Sequence, residues 1–178
     1  MLSPSGSDVE EARLFLDRNR DVEAVDIVLT DCNGVGRGKI IRRHELEGLF
    51  RSGRNLPTSI LGLDITGEDV HDTGLLWDTG DGDLVGWPVP GTLARLHGTH
   101  PPRAQVLMSM YQRDGTPMGS DPRHALARQL RGLARDGLHP AGAFELEFFL
   151  LASQRGPDGS IEPAPAVLDG RRSSKTEV

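Results

Sequence analysis

Ala143-Phe144-Glu145-Leu146-Glu147-Phe148-Phe149-Leu150-Leu151 sets two acids inside an otherwise apolar run. Read as a β-strand, its side chains alternate faces, so Phe144, Leu146, Phe148 and Leu150 point one way. Glu145 and Glu147 point the other way, beside the small Ala143. Their Cα atoms then lie about 6.5–7 Å apart along the strand. That separation is too long for easy sharing of one proton, and it suits carboxylates that serve two neighbouring hard cations. The competing reading is a half-exposed strand whose polar face happens to be acidic. Four large apolar residues on the opposite face place the strand on a core, which would make the carboxylates a rigid, preorganised pair.

Working upstream, Asp121-Pro122 predicts a helix start, with Asp as N-cap and Pro at the first helical position. The helix runs through Ala125, Leu126, Leu130 and Leu133 until Gly137 ends it. Gln105 to Tyr111 is a strand, turned by Asp114-Gly115. Residues 53–103 hold little periodicity, with short strands expected at Ser59–Ile65 and Leu84–Trp87. A short helix spans His44 to Arg51 and stops at Gly53. Val22 to Thr30 reads as a strand partly buried on both faces. Asn33-Gly34 is a strong turn signal, and Lys39 to Ile41 returns to complete a hairpin. At the start, Ser7 is expected to cap a helix while Glu10 reaches back in a capping box. Downstream of Leu151 come a turn at Gln154–Gly159 and a polar tail to Val178. No element there is placed to cover the apolar side of the 143–151 strand, so its sheet reads as incomplete.

At 178 residues the chain holds one ordinary domain, or one small domain and part of another. A net charge of −6 argues against general nucleic-acid binding, which needs concentrated Lys and Arg. The single cysteine, Cys32, excludes an internal disulfide and a cysteine-based zinc site. No apolar run approaches the ~20 residues that span a bilayer, and the first residues lack the features of a secretion signal. No membrane partner is expected, and the cytoplasm is the expected compartment.

Four motifs stand in one order along the chain. Asp31-Cys32-Asn33-Gly34-Val35-Gly36-Arg37-Gly38-Lys39 resembles the D-x-x-G-x-x-R-G-K hairpin early in glutamine synthetases and related γ-glutamyl–amine ligases. Asp81-Gly82-Asp83, then Pro88 and Pro90-Gly91-Thr92-Leu93, resembles the loop and strand that follow. Asp121-Pro122-Arg123, with Leu126 and Leu130, is similar to the D-P-R-x-x-L helix that opens the family's catalytic domain. Glu145-Leu146-Glu147-Phe148-Phe149 is similar to its E-x-E-F-F metal strand. Each motif is weak alone. Their order over residues 20–178 is specific.

The resemblance implies an α+β protein: a β-grasp-like N-terminal domain followed by the first helix and strand of an incomplete glutamine synthetase-type catalytic domain. The implied divisions are residues 1–20 as N-terminal tail and helix, 21–113 as the β-grasp-like domain, and 114–178 as the start of the catalytic domain. ATP would phosphorylate the γ-carboxyl of glutamate, and ammonia or an amine would displace the phosphate to form an amide. Two ions, Mg²⁺ or Mn²⁺, would hold glutamate and nucleotide, with Glu145 and Glu147 serving one each. Homo-oligomers of stacked rings are implied, the N-terminal domain of one subunit closing its neighbour's site. The family's other metal ligands, its arginines and its flap glutamate lie downstream of these motifs. The chain is therefore read as the N-terminal part of a longer enzyme and is expected to be inactive alone.

Other features carry less. Gly34 to Lys39 is no Walker loop, since Asn33 stands where the first glycine belongs and Ile40 where Ser or Thr belongs. It is expected to be a hairpin whose glycines take positive φ, with Arg37 and Lys39 available to a partner subunit. Asp64, in Leu63-Asp64-Ile65, falls where glutamine synthetases carry an acid of an F-D-G-S-S segment that helps hold ammonium at the neighbouring site. Ile65-Thr66-Gly67 replaces Gly-Ser-Ser, which tilts the expectation from ammonia toward a polyamine or another amine. A turn acid is the alternative. His44, His71, His97, His100, His124 and His139 share no ligand spacing and are expected in ordinary surface or loop positions. Asp78, Asp81 and Asp83 read as a solvated turn packed down by Trp77 and Trp87.

Three functions are thus set against one another. The first is a glutamate–amine ligase, including glutamine synthetase proper. The second is a non-catalytic assembly protein of the same fold. The third is a free-standing β-grasp binding domain, which leaves the two glutamates without purpose.

Overall fold

Strand Arg103–Tyr111 organises the protein, because both of its edges carry neighbours. The computed structural model describes residues 3–75 and 80–164, together with the backbone of Val167–Leu168 and Arg171–Arg172. The chain divides into two units, Met1–His139 and Pro140–Val178.

In the first unit the elements run α1 (Val9–Arg18), β1 (Ala24–Thr30), β2 (Gly36–Arg42), α2 (Leu46–Ser52), β3 (Arg54–Pro57), β4 (Asp83–Pro88), β5 (Ala94–Leu96), β6 (Arg103–Tyr111) and α3 (Pro122–Arg135). They form a mixed α/β unit. The sheet order is β2-β1-β6-β4-β3, with β5 also against β6. β1 and β6 run parallel, and the other pairings of this sheet are antiparallel.

The core follows from the period of two. Val25, Ile27 and Leu29 of β1 alternate inward and meet Ala104, Val106, Met108 and Met110 of β6, all at most 2% exposed. Register puts Val25 opposite Ile41 on one side and Ala104 on the other. Helix α2 presents Leu46, Leu49 and Phe50 to that layer. Their i, i+3, i+4 spacing makes one stripe, and each buried side chain contributes about 1.5–3 kcal/mol. Gly53 ends α2 at φ +68, where a Cβ would lie 2.5 Å from Val85 Cγ1.

Several local expectations change. Asp8, not Ser7, caps α1, accepting from the Glu10 N–H at 3.0 Å. Ser7 is buried and its hydroxyl is engaged with Ser3 at 2.9 Å, so it cannot serve the helix. At the other end of α1, the Arg43 guanidinium donates to the carbonyls of Leu16, Asn19 and Val22. Ser59–Ile65 is not a strand; Thr58–Leu61 forms a 3-10 turn. Leu61 is buried and Ile60 half-buried beside it, and adjacent residues turned the same way fit a helical turn, not a pleat. Of the hairpin glycines only Gly34 has positive φ, at +77°. Gly38 is needed for another reason: a Cβ there would fall 1.7 Å from the Ile27 carbonyl oxygen.

The second unit departs most from the expectation. Residues 140–150 form no regular strand. A strand exists through its ladder, and in this unit the segment's pairing is confined to its end. Leu151 bridges Pro163, the Ala164 N–H donates to the Leu150 carbonyl at 2.7 Å, and the Ala152 N–H donates to Glu162 at 2.9 Å. The turn expected at Gln154–Gly159 is present and lets the chain fold back over 150–164, and the tail expected to hold no further element pairs Val167–Leu168 with Arg171–Arg172. Among the described residues no helix is long and apolar enough to cross a membrane.

Candidate functional site

The hairpin motif builds a charged clamp. Asp31, only 2% exposed, follows the last residue of β1. Its Oδ1 accepts from the N–H groups of Asn33 at 2.8 Å and Val35 at 2.9 Å, which closes the turn. Its Oδ2 accepts from Arg37 Nε at 2.9 Å. Burial pushes the Asp31 carboxyl up, but the Arg37 guanidinium and the two N–H groups outweigh it and hold it below the ordinary carboxylate value. The other end of the guanidinium, Nη2, donates to the Asp64 carbonyl. Asn33 Nδ2 donates to the Leu63 carbonyl at 3.0 Å. Two hairpin side chains therefore grip the backbone of the loop that carries Asp64.

Asp64 itself organises that loop. Its Oδ1 accepts from Thr66 Oγ1 at 2.7 Å, the Thr66 N–H at 2.8 Å and the Glu68 N–H at 3.0 Å. The Thr66 hydroxyl first, then the Glu68 amide, keep its carboxyl below the ordinary value. The side chain is thus a charged acceptor at neutral pH. Oδ2 takes no hydrogen bond among the described residues. Ile65 beside it is 73% exposed. The geometry is that of a turn acid with one carboxylate oxygen left over.

Asp121 does two things at once. Its Oδ1 accepts from the Arg123 N–H at 2.8 Å and caps α3; its Oδ2 accepts from the Met110 N–H of β6 at 2.7 Å. The helix is thereby fastened to the end of the central strand. His124 completes the junction and corrects the expectation of an ordinary surface or loop residue. It is 8% exposed, its Nε2 lies 2.9 Å from the Met110 carbonyl, and its ring meets Tyr111 edge-on at 4.7 Å. An imidazole whose Nε2 carries a proton donates to that carbonyl.

Glu145 and Glu147 are both exposed and belong to the second unit. Neither makes a hydrogen bond or ion pair among the described residues, so both carboxylates are open to a ligand. The flanking Phe144, Leu146 and Phe148 are 99%, 85% and 74% exposed. Among the described residues no three acidic, His or Cys side chains gather into a metal-sized cluster. The pair offers the oxygen donors that a hard cation takes, but only two of the six positions of an octahedral ion. Of the acidic loop, Asp81 accepts from the Ser59 N–H at 3.2 Å and Asp83 opens β4, while Asp78 and Trp77 lie outside the described residues. Trp87 is half-buried on β4, next to Gly53.

The chain is similar to known proteins along nearly its whole length. A gamma-glutamylputrescine synthetase of Escherichia coli K12 is 35% identical over 169 residues, covering 95% of this chain and 36% of the relative. The chain belongs to the glutamine synthetase family. A glutamine synthetase of Mycobacterium bovis is 31% identical over 154 residues, 82% of this chain and 30% of that one. The crystal structure of a glutamine synthase homologue superposes with a TM-score of 0.56 at 23% identity, over 65% of this chain and 27% of the other. No protein-family model matches the chain. The chain spans about a third of the length of the glutamine synthetase family relatives it matches.

The sequence reading missed what Arg37, Asn33 and His124 do. The sequence makes Arg37 available to a partner subunit, whereas its side chain is 15% exposed and engaged within the unit by Asp31 and the Asp64 carbonyl. The signal was available in part: across the Asn-Gly turn Asp31 lies opposite Val35, so Arg37, two residues further on, shares its face at diagonal reach.

Proposed function

We propose that the intact protein carrying this chain is an ATP-dependent glutamate–amine ligase that forms a γ-glutamyl amide through a γ-glutamyl phosphate. The observation that carries the proposal is the 35% identity with a gamma-glutamylputrescine synthetase over 95% of the chain. A polyamine or another amine is favoured over ammonia, because Ile65-Thr66-Gly67 replaces the Gly-Ser-Ser that accompanies the ammonium-binding acid in glutamine synthetases.

In this reading the Oδ2 of Asp64 receives the protonated amine at a neighbouring subunit's site. A carboxylate kept ionised by its own loop holds an ammonium group well and does not compete for its proton. Glu145 and Glu147 supply one carboxylate each to two divalent ions, Mg²⁺ or Mn²⁺, with the remaining positions filled by water or further ligands. Such ions neutralise phosphate charge as the phosphoryl group moves. The parallel β1–β6 centre, flanked by the β1–β2 hairpin and followed by α2, supports a β-grasp-like N-terminal domain through about residue 113, with the catalytic part opening at Asp121. Stacked-ring homo-oligomers belong to the same reading.

The test is turnover by the intact protein with glutamate, ATP and Mg²⁺ while the amine is varied. ADP release with putrescine well above that with ammonia is expected. Turnover only with ammonia would make it a glutamine synthetase proper, and no ADP above background with any amine would overturn the ligase reading.

A further inference from the structure

We infer that Arg37, with Asn33, is a positioning residue for the acceptor amine, holding the Asp64 loop in register from the neighbouring hairpin. The inference rests on the reading of Asp64 as the amine contact. It goes beyond that reading by assigning a specificity role to the β1–β2 hairpin.

The loop 62–70 has little to hold it otherwise. Residues 65–70 are exposed, and Leu63 pairs with Asp69 through an isolated bridge. Its internal bonds, from Thr66 and Glu68 to Asp64, shape the loop but do not place it. Thr73 holds the base of the loop through the Val70 carbonyl, and the part that carries Asp64 is placed by Arg37, which donates to the Asp64 carbonyl, and Asn33, which donates to the Leu63 carbonyl. Arg37 is itself immobilised by the buried Asp31 carboxylate. The guanidinium also lies against Gly67, where a Cβ would come 3.4 Å from Nη1. A planar fork that satisfies a carboxylate and a carbonyl together is a task for Arg; a lysine ammonium cannot span both.

The experiment compares R37K, N33A and D64N in the intact protein by hydrogen exchange and by steady-state kinetics with putrescine. R37K keeps a cation beside Asp31 and is expected to fold. Exchange at the Thr66 and Glu68 amides should rise about tenfold, and KM for the amine should rise about tenfold as well, the scale of one lost charge-assisted hydrogen bond. KM for glutamate and ATP should stay within about twofold, which separates a local effect from general damage. N33A should do the same more weakly. Unchanged exchange in R37K overturns the clamp. Raised exchange with an unmoved amine KM, while D64N raises it, overturns the positioning role. An amine KM unmoved in D64N sinks the reading of Asp64, and the inference with it.

Discussion

The Arg37 guanidinium meets the Asp31 carboxylate at 2.9 Å, with Asp31 fully enclosed and Arg37 nearly so. This pair closes the hairpin from inside, because the same carboxylate also accepts the Asn33 and Val35 N–H groups. Its energetic sign follows from the carboxyl being held below its ordinary value. A carboxyl depressed in the folded state stabilises above its unfolded pKa and loses that contribution as pH falls through the folded value.

Replacing Arg37 by Gln should therefore cost about 2–3 kcal/mol at pH 7, since a buried carboxylate loses its charged donor. The loss of stability of the parent protein below about pH 4 should shrink in R37Q. Urea unfolding at pH 7 and at several acidic pH values measures both. Equal acid sensitivity in parent and variant would show that the pair is not what the pH dependence reports.

Asp121 distinguishes a helix cap from a tertiary tie. Asparagine caps helices as well as aspartate does, so D121N should be harmless if capping were the whole role. The Met110 N–H aimed at Oδ2 makes the difference. In D121N, one side-chain oxygen can serve only one of the two donors, and the amide nitrogen faces the other. A cost of about 1–2 kcal/mol is expected for D121N, and about 2–4 kcal/mol for D121A. Denaturant midpoints at constant slope test the order.

The glycines of the hairpin separate conformational freedom from space. At Gly36 a Cβ would meet only the movable Val28 Cγ1, at 3.1 Å, whereas at Gly38 it would meet the Ile27 carbonyl at 1.7 Å. G36A should be tolerated within about 1 kcal/mol, and G38A should cost more than about 3 kcal/mol or prevent the hairpin from closing. Similar stabilities for the two variants, read by thermal unfolding, would contradict the close approach.

These cases mark what the sequence could tell. The β1–β2 hairpin, the Asp121-capped helix and β6 were legible because each is a local pattern: an Asn-Gly turn, an Asp-Pro cap, and a largely apolar run ended by an Asp-Gly turn. Ser59–Ile65 misled because Ile60 and Leu61 mimic a strand's composition while turning together into a short helical turn. His124 was invisible as a buried residue because its partner, the Met110 carbonyl, lies 14 positions away. The apolar alternation of 143–151 is present in the sequence, but alternation does not make a strand, and its large side chains do not lie on a core. Phe144 and Phe149 remain 99% and 91% exposed, and without a ladder the alternation has nothing to act on.

Glu147 tests whether the acidic pair acts in chemistry or is only a polar surface. Its carboxylate is exposed and makes no hydrogen bond or ion pair among the described residues, so E147A should change unfolding free energy by less than about 0.5 kcal/mol. In the intact protein the same variant should lose Mg²⁺-dependent turnover, and calorimetry should find Mn²⁺ bound at least about tenfold more weakly, because a hard cation loses an anionic oxygen. E147Q preserves the shape and removes the charge, so it should fail as E147A does. If E147Q instead keeps parental activity at limiting Mg²⁺, charge at this position is not used, and the alternation of Glu145 and Glu147 describes only a solvated face.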